Sequence, residues 1–220
     1  TAKHTMTYES HCPQLAQLLP EIIRDDRQHA RWLNTLSMME SVGARKIAGY
    51  VDPIHVDELT LQHAFEEARH AHYLKRQISK IGQKLSDYRS DTLLAPRASY
   101  RYLHQLDWSC SRYLKQKGLS GRALKNHSYL YVTYLIEVRA MKLYHTYQAA
   151  LTEAHSPVHV RSIIKEEEGH LANMSSQLQA IDPNWQAHCH NLQIEEQKLF
   201  ERWIEQLQNQ LHNPMQTTSQ

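Results

Sequence analysis

Two four-residue phrases carry the chemistry that the rest of the chain must position, Glu67-Ala68-Arg69-His70 and Glu167-Glu168-Gly169-His170. In each, a carboxylate precedes an imidazole by three residues. On a helix that spacing puts both on one face, aimed at one point. One such pair alone is weak, because a chain with 16 histidines meets it by chance and helices use it as an ordinary surface pair. Order strengthens it. Each phrase follows another helical stretch with a single glutamate on its apolar stripe, Glu40 and then Glu137. A carboxylate in that position is costly unless it is paired or bound to metal. Glu, Glu-x-x-His, Glu, Glu-x-x-His is the ligand set with which four helices hold two metal ions between them.

The sequence therefore predicts a metal site made of Glu40, Glu67 and His70 in one half and Glu137, Glu167 and His170 in the other. Glu67 and Glu167 are the natural bridges, and Glu40 and Glu137 the terminal ligands. Oxygen and nitrogen donors of this kind suit two Fe ions, and also Mn2 or a mixed Mn/Fe pair. Glu166 competes with Glu167 for its role, but only Glu167 has a histidine three residues later. Glu66, Glu166 and Glu168 read as exposed charges. His63, one turn before Glu67, reads as an extra ligand, a base beside the site or plain polar core. Tyr134, one turn before Glu137, is the best candidate for a tyrosine beside the site or a redox-active one, although with 12 tyrosines in the chain ordinary packing is the better reading. Asp26 and His29 lie too far along the first helix to bind metal, though they could line a channel. His188-Cys189-His190 reads as surface, since adjacent helical residues splay apart.

The elements that must hold these residues are helices. Gly and Pro number only six and seven, and long stretches contain neither. Apolar residues recurring at threes and fours mark helices over 21–50, 53–82, 120–154 and 157–180. Pro20 is expected in the first turn of the first of these. Asp52-Pro53, Ser156-Pro157 and Asp182-Pro183 each read as a cap followed by proline at the first helical position, and Ser120 as a further cap. Gly43 reads as a tolerable interruption. The first two helices are antiparallel neighbours, with Glu40 and Glu67 mismatched by roughly one turn, ~6 Å, from the expected connection. Residues 83–119 contain a polar linker and a shorter helix over 97–117 closed by Gly118, a segment able to carry the chain from one end of a bundle to the other. A last amphipathic helix runs to about residue 211. The expectation is all-α: one domain over 1–212, a four-helix bundle with a long crossover containing an extra helix, plus a C-terminal helix. Residues 1–12 and the tail 213–220 are expected to be loose.

Composition removes several alternatives. Net charge is +2 with no Lys/Arg block, which argues against nucleic acid or an anionic membrane as partner. Three scattered cysteines without a C-x-x-C argue against a disulfide scaffold or a zinc ribbon, and point to the cytoplasm. No apolar run reaches membrane-spanning length, and the first residues lack a signal-peptide core.

Through Glu40, Glu67/His70, Glu137 and Glu167/His170 the chain resembles the ferritin-like di-iron carboxylate superfamily over about residues 21–180. The resemblance implies a non-haem di-iron oxidase or monooxygenase acting on O2 and an organic substrate with an external electron donor; a homodimer is the assembly considered. A fainter likeness, in Arg45-Lys46 after Glu40 and in Ile136-Glu137-Val138-Arg139, is to tRNA-modifying di-iron hydroxylases. The alternatives are a ferroxidase or other iron-handling protein, and a metal-free helical interaction module.

Overall fold

The computed structural model describes residues 12–213. The expectations for the first residues and for the tail fall almost wholly outside that range. Among the described residues there are seven α-helices and no strand: α1 Pro13–Arg24, α2 Asp26–Tyr50, α3 Glu58–Ser79, α4 Pro96–Gln116, α5 Gly121–Glu153, α6 Arg161–Ile181 and α7 Trp185–His212, with a 3-10 turn at Ser90–Thr92. No helix among them is long and apolar enough to cross a membrane.

The helices are in place, but several begin elsewhere than the proline signals suggest. Asp25 breaks the first stretch: its backbone is extended and its carboxylate accepts the amides of Arg27 and Gln28, so α2 starts there. Pro20 consequently lies inside the separate helix α1, where it removes one backbone hydrogen bond without ending the helix. Asp52 forms a local turn, accepting the amides of Ile54 and His55, while Asp57 accepts from Thr60 and caps α3. Ser156 likewise accepts from Val158 in a turn, and α6 waits until Arg161. Asp182 accepts from Asn184 ahead of α7. Ser120 precedes α5 without a side-chain cap bond. An Asp or Ser before proline stabilises a turn as readily as a helix start, because both use the same side-chain-to-amide bond.

The later start of α3 aligns the site. Glu40 lies ten residues before the end of α2, and Glu67 nine after the start of α3, so the mismatch of a turn disappears. Contacts along this hairpin keep one antiparallel register: Lys75 donates to Asn34 at 2.6 Å, Ser37 to the Ala71 carbonyl at 2.6 Å, and Gly43 lies beside Glu67. Helices α5 and α6 form the second hairpin, and α3 crosses to α6 antiparallel, His70 opposite Glu166 and His170 opposite Glu66. Thus α3 and α5 run the same way, and the chain must return the length of the molecule between them. Helix α4 makes that return, closed by Gly118 in the left-handed region. The crossover is tied to α2 by Asn34, which donates to the carbonyls of Asp87 and Thr92, and by Thr35, which accepts the Leu94 amide.

Helix α5 is the centre of the molecule. Residues 129–135 are buried without a break, because α1, α4, α6 and α7 cover it from different sides. A stacked aromatic cluster, Trp32 on Trp203 and Trp203 on Tyr102, joins α2, α7 and α4. His29 is buried beside it, 2.6 Å from the Tyr147 hydroxyl, whereas Asp26 is exposed. Burial pushes the His29 imidazole down to about 4, against the pull of Asp26. The unfolded chain takes up a proton near 6.5 that the folded chain refuses until about 4, so stability is lost as pH falls through that window. The shift corresponds to about 3 kcal/mol. Denaturant midpoints measured between neutrality and about pH 4 should fall less steeply for His29→Gln than for the parent chain. Parallel slopes would refute this role.

Candidate metal centre

Helices α2, α3, α5 and α6 bring all six sequence-predicted ligands together, with His63 as a seventh. Each of the seven is at most 9% exposed. They form two groups, Glu40, Glu67, His70 and Glu167 in one, and His63, Glu67, Glu137 and His170 in the other; within each, one donor atom per residue lies within 4.8 Å of the others. Glu67 belongs to both groups. Glu167 falls with Glu40 rather than in the half with Glu137, yet it touches both sides: His70 Nδ1 is 3.1 Å from its Oε1 and His170 Nδ1 3.3 Å from its Oε2. His63 Nε2 stands 2.9 Å from Glu137 Oε1 and 3.4 Å from Glu67 Oε1, which takes it out of the ordinary polar core.

Glu66 and Glu166 are not the solvated charges that the sequence suggested. Glu66 reaches across to His170 Nε2 at 2.6 Å, and Glu166 reaches back to His70 Nε2 at 2.9 Å and also pairs with Arg69. Each imidazole therefore turns Nδ1 toward the central carboxylates and holds Nε2 against an outer carboxylate of the opposite helix. Metal-binding histidines are oriented in this way, the second ring nitrogen donating to a carboxylate that fixes the tautomer. The available signal was the repeat itself: both phrases read Glu-Glu-x-x-His. Glu168 is exposed, as expected. Glu66→Gln and Glu166→Gln should each lower Mn(II) or Fe(II) affinity roughly 10–100-fold in competition with a chelating dye. Unchanged affinity in both would remove these carboxylates from the site.

The tyrosine seen against a ligand is one that the spacing did not single out. Tyr134 is buried with its ring edge-on to Trp185 at 5.5 Å. It is Tyr144, two helical turns beyond Glu137 on the same face of α5, that donates a hydrogen bond to Glu40 Oε1. Burial first, and then the Glu40 carboxylate, hold its phenol well above the ordinary range. Gly43 also has a reason to be glycine, since a Cβ there would stand 3.2 Å from Glu67 Oε2. In the cluster 188–190, Cys189 is core rather than surface, and His188 Nδ1 lies 3.0 Å from Asp182.

The donor set fits a metal on evidence of its own. Glu67 Oε1 and His70 Nδ1 are buried and lack a well-aligned hydrogen bond, although His170 Nδ1 stands 3.3 Å from the first and Glu167 Oε1 3.1 Å from the second, a state that native interiors rarely leave unrelieved. Protons are unevenly shared among the remaining groups. Burial would raise Glu67 and Glu137, but for Glu137 first the bond to Glu167, and for both the facing imidazoles, bring them down to about 2. Burial and the neighbouring carboxylates push Glu40 and Glu167 up instead. Burial would lower His63, yet Glu137 and Glu67 raise it to about 9. Four carboxylates competing for few protons are an arrangement that a cation would relieve.

Beside the carboxylates, on the side away from the imidazoles, lies a cavity of about 110 Å³. Glu40, Glu67, Glu137 and Glu167 reach its inner end, and its walls between α2, α4 and α5 are predominantly apolar. Arg139, which the tRNA-hydroxylase likeness had included, is buried against Glu196 rather than offered to solvent. Comparisons with protein-family models, curated proteins and solved structures found no match.

Proposed function

We propose that α2, α3, α5 and α6 form a ferritin-like bundle around a di-iron centre, and that the protein is an O2-activating oxidase or monooxygenase of an organic substrate. The observation that carries this is the pair of buried Glu/His groups sharing Glu67. Glu40, Glu67, His70 and Glu167 would hold one ion, and His63, Glu67, Glu137 and His170 the other. Bound iron would supply the electrons that O2 must accept before it attacks carbon or nitrogen. The chain's own part is positioning. Glu66 and Glu166 orient the imidazoles, Tyr144 holds Glu40 by a hydrogen bond, and the apolar cavity excludes water and gives an organic molecule access to the carboxylate side. A storage role makes no use of such a cavity.

Protein loaded with Fe(II) without air should take up about two ions per chain and develop a transient optical band on exposure to O2, which Glu137→Ala abolishes. Uptake should release protons and weaken toward acid, because the raised imidazoles and carboxylates must lose theirs first. A chain that binds neither Fe(II) nor Mn(II), with a melting temperature indifferent to both, would refute the reading.

A further inference from the structure

The mouth of the cavity differs in character from its walls and floor. It is spanned by an ion pair between Lys46 of α2 and Asp107 of α4, whose side chains are 31% and 44% exposed. His104, exposed one turn before Asp107, lines the same cavity. Inward from them the walls are mainly apolar, Met39, Leu103, Leu143 and Trp203 among them, with the Arg139 cation already paired to Glu196, until the four carboxylates at the far end. An ion pair this exposed contributes little to stability, so a ligand can exchange one partner at small cost.

Polarity decides which partner is exchanged. The four carboxylates at the floor turn acceptor oxygens to the cavity and the cation of Lys46 stands at the mouth, so an anionic head finds its partner at the mouth, which orients the apolar end inward. An amine would be drawn toward the floor carboxylates, and a neutral head would have no preferred end. At the mouth, two groups able to donate, Lys46 and His104, face one acceptor, Asp107. We propose that the cavity binds an organic monocarboxylate with an apolar chain, its carboxylate paired with Lys46 in place of Asp107 and its far end against the Glu/His cluster. That this ligand is the substrate rests on the proposed function; that it binds does not.

The test compares octanoate, octanol and octylamine by calorimetry on the full chain, metal-free and Mn(II)-loaded. In the metal-free protein octanoate should bind about tenfold more tightly than the other two, a difference of about 1.4 kcal/mol. Lys46→Met should erase that preference, and Asp107→Asn, which removes the competing acceptor, should strengthen octanoate binding. Equal binding of the three ligands, no binding of any, or octanoate affinity indifferent to Lys46→Met would overturn the proposal. Tighter octylamine binding would reverse its sign and overturn it equally. Octanoate selectivity in a chain that takes up no metal would keep this inference while the proposed di-iron function fails.

Discussion

Glu67→Gln should empty both metal positions at once, whereas His63→Ala should weaken one. Glu67 is the residue common to the two donor groups, and its Oε1 is buried without a well-aligned hydrogen bond. Gln keeps the shape and can still bond to an imidazole, but it lacks the charge and the second strong oxygen donor that a bridge requires. The loss should exceed the roughly 10–100-fold expected for the outer carboxylates Glu66 and Glu166, because a ligand is removed rather than misoriented. Metal content after equilibrium dialysis gives the answer, with circular dichroism to show that the helices persist. His63→Ala serves as the contrast, since His63 touches Glu137 and Glu67 but belongs to one group alone. A Glu67→Gln protein that keeps both ions at the parent affinity would mean that the two groups do not share this carboxylate.

Much of this site was legible because helical periodicity is a local property. Each Glu-x-x-His is fixed by four consecutive residues of one helix, and Glu40 and Glu137 betray themselves as charges on apolar stripes. Glu66 and Glu166 were not legible in the same way. On their own helices they point off the central stripe, and only the antiparallel register of α3 against α6 brings each within reach of the other helix's histidine. His63 was visible by spacing but undecided, since one turn before a ligand places a residue equally well in core or site. Tyr144 was not singled out, although it lies at a helical interval from Glu137 as Tyr134 does; what marks it is its bond to Glu40 of another helix. Helix starts failed for a related reason. Asp52 and Asp57 are both competent caps, and the choice is made by which register lets α2 and α3 pack, a matter beyond the reach of the four residues between these two aspartates. Gly43 illustrates the same limit, for its place is set by the side chain of another helix.

Arg139→Ala should destabilise the fold by about 3–5 kcal/mol, the cost of leaving a buried charge without its partner. The Arg139 guanidinium is bidentate to Glu196, at 2.7 Å through both Nε and Nη2, and also donates to Gln197 at 2.6 Å. The Arg139 and Glu196 side chains are only 7% and 6% exposed. Tyr102 donates to the same Glu196 at 2.8 Å, and the guanidinium lies 3.8 Å over the Phe200 ring. One ion pair thus joins α5, α7 and α4, and two of its members, Arg139 and Tyr102, also line the cavity. Removing the arginine strands a carboxylate in the core, whereas Arg139→Met with Glu196→Leu removes both charges and fills the space. The double variant should recover most of the lost stability, short of the parent by the bond that the Tyr102 hydroxyl loses. Urea midpoints of the parent, the single and the double variant separate these effects. A single variant within about 1 kcal/mol of the parent would show that Glu196 finds water when Arg139 is gone, as exposed pairs do. The function is coupled to the same measurement, because Glu137 lies two residues before Arg139 on α5. A helix pinned to α7 and α4 holds that carboxylate in register with His63, so Arg139→Ala should weaken metal uptake as well as stability, and the charge-free double variant should restore both together.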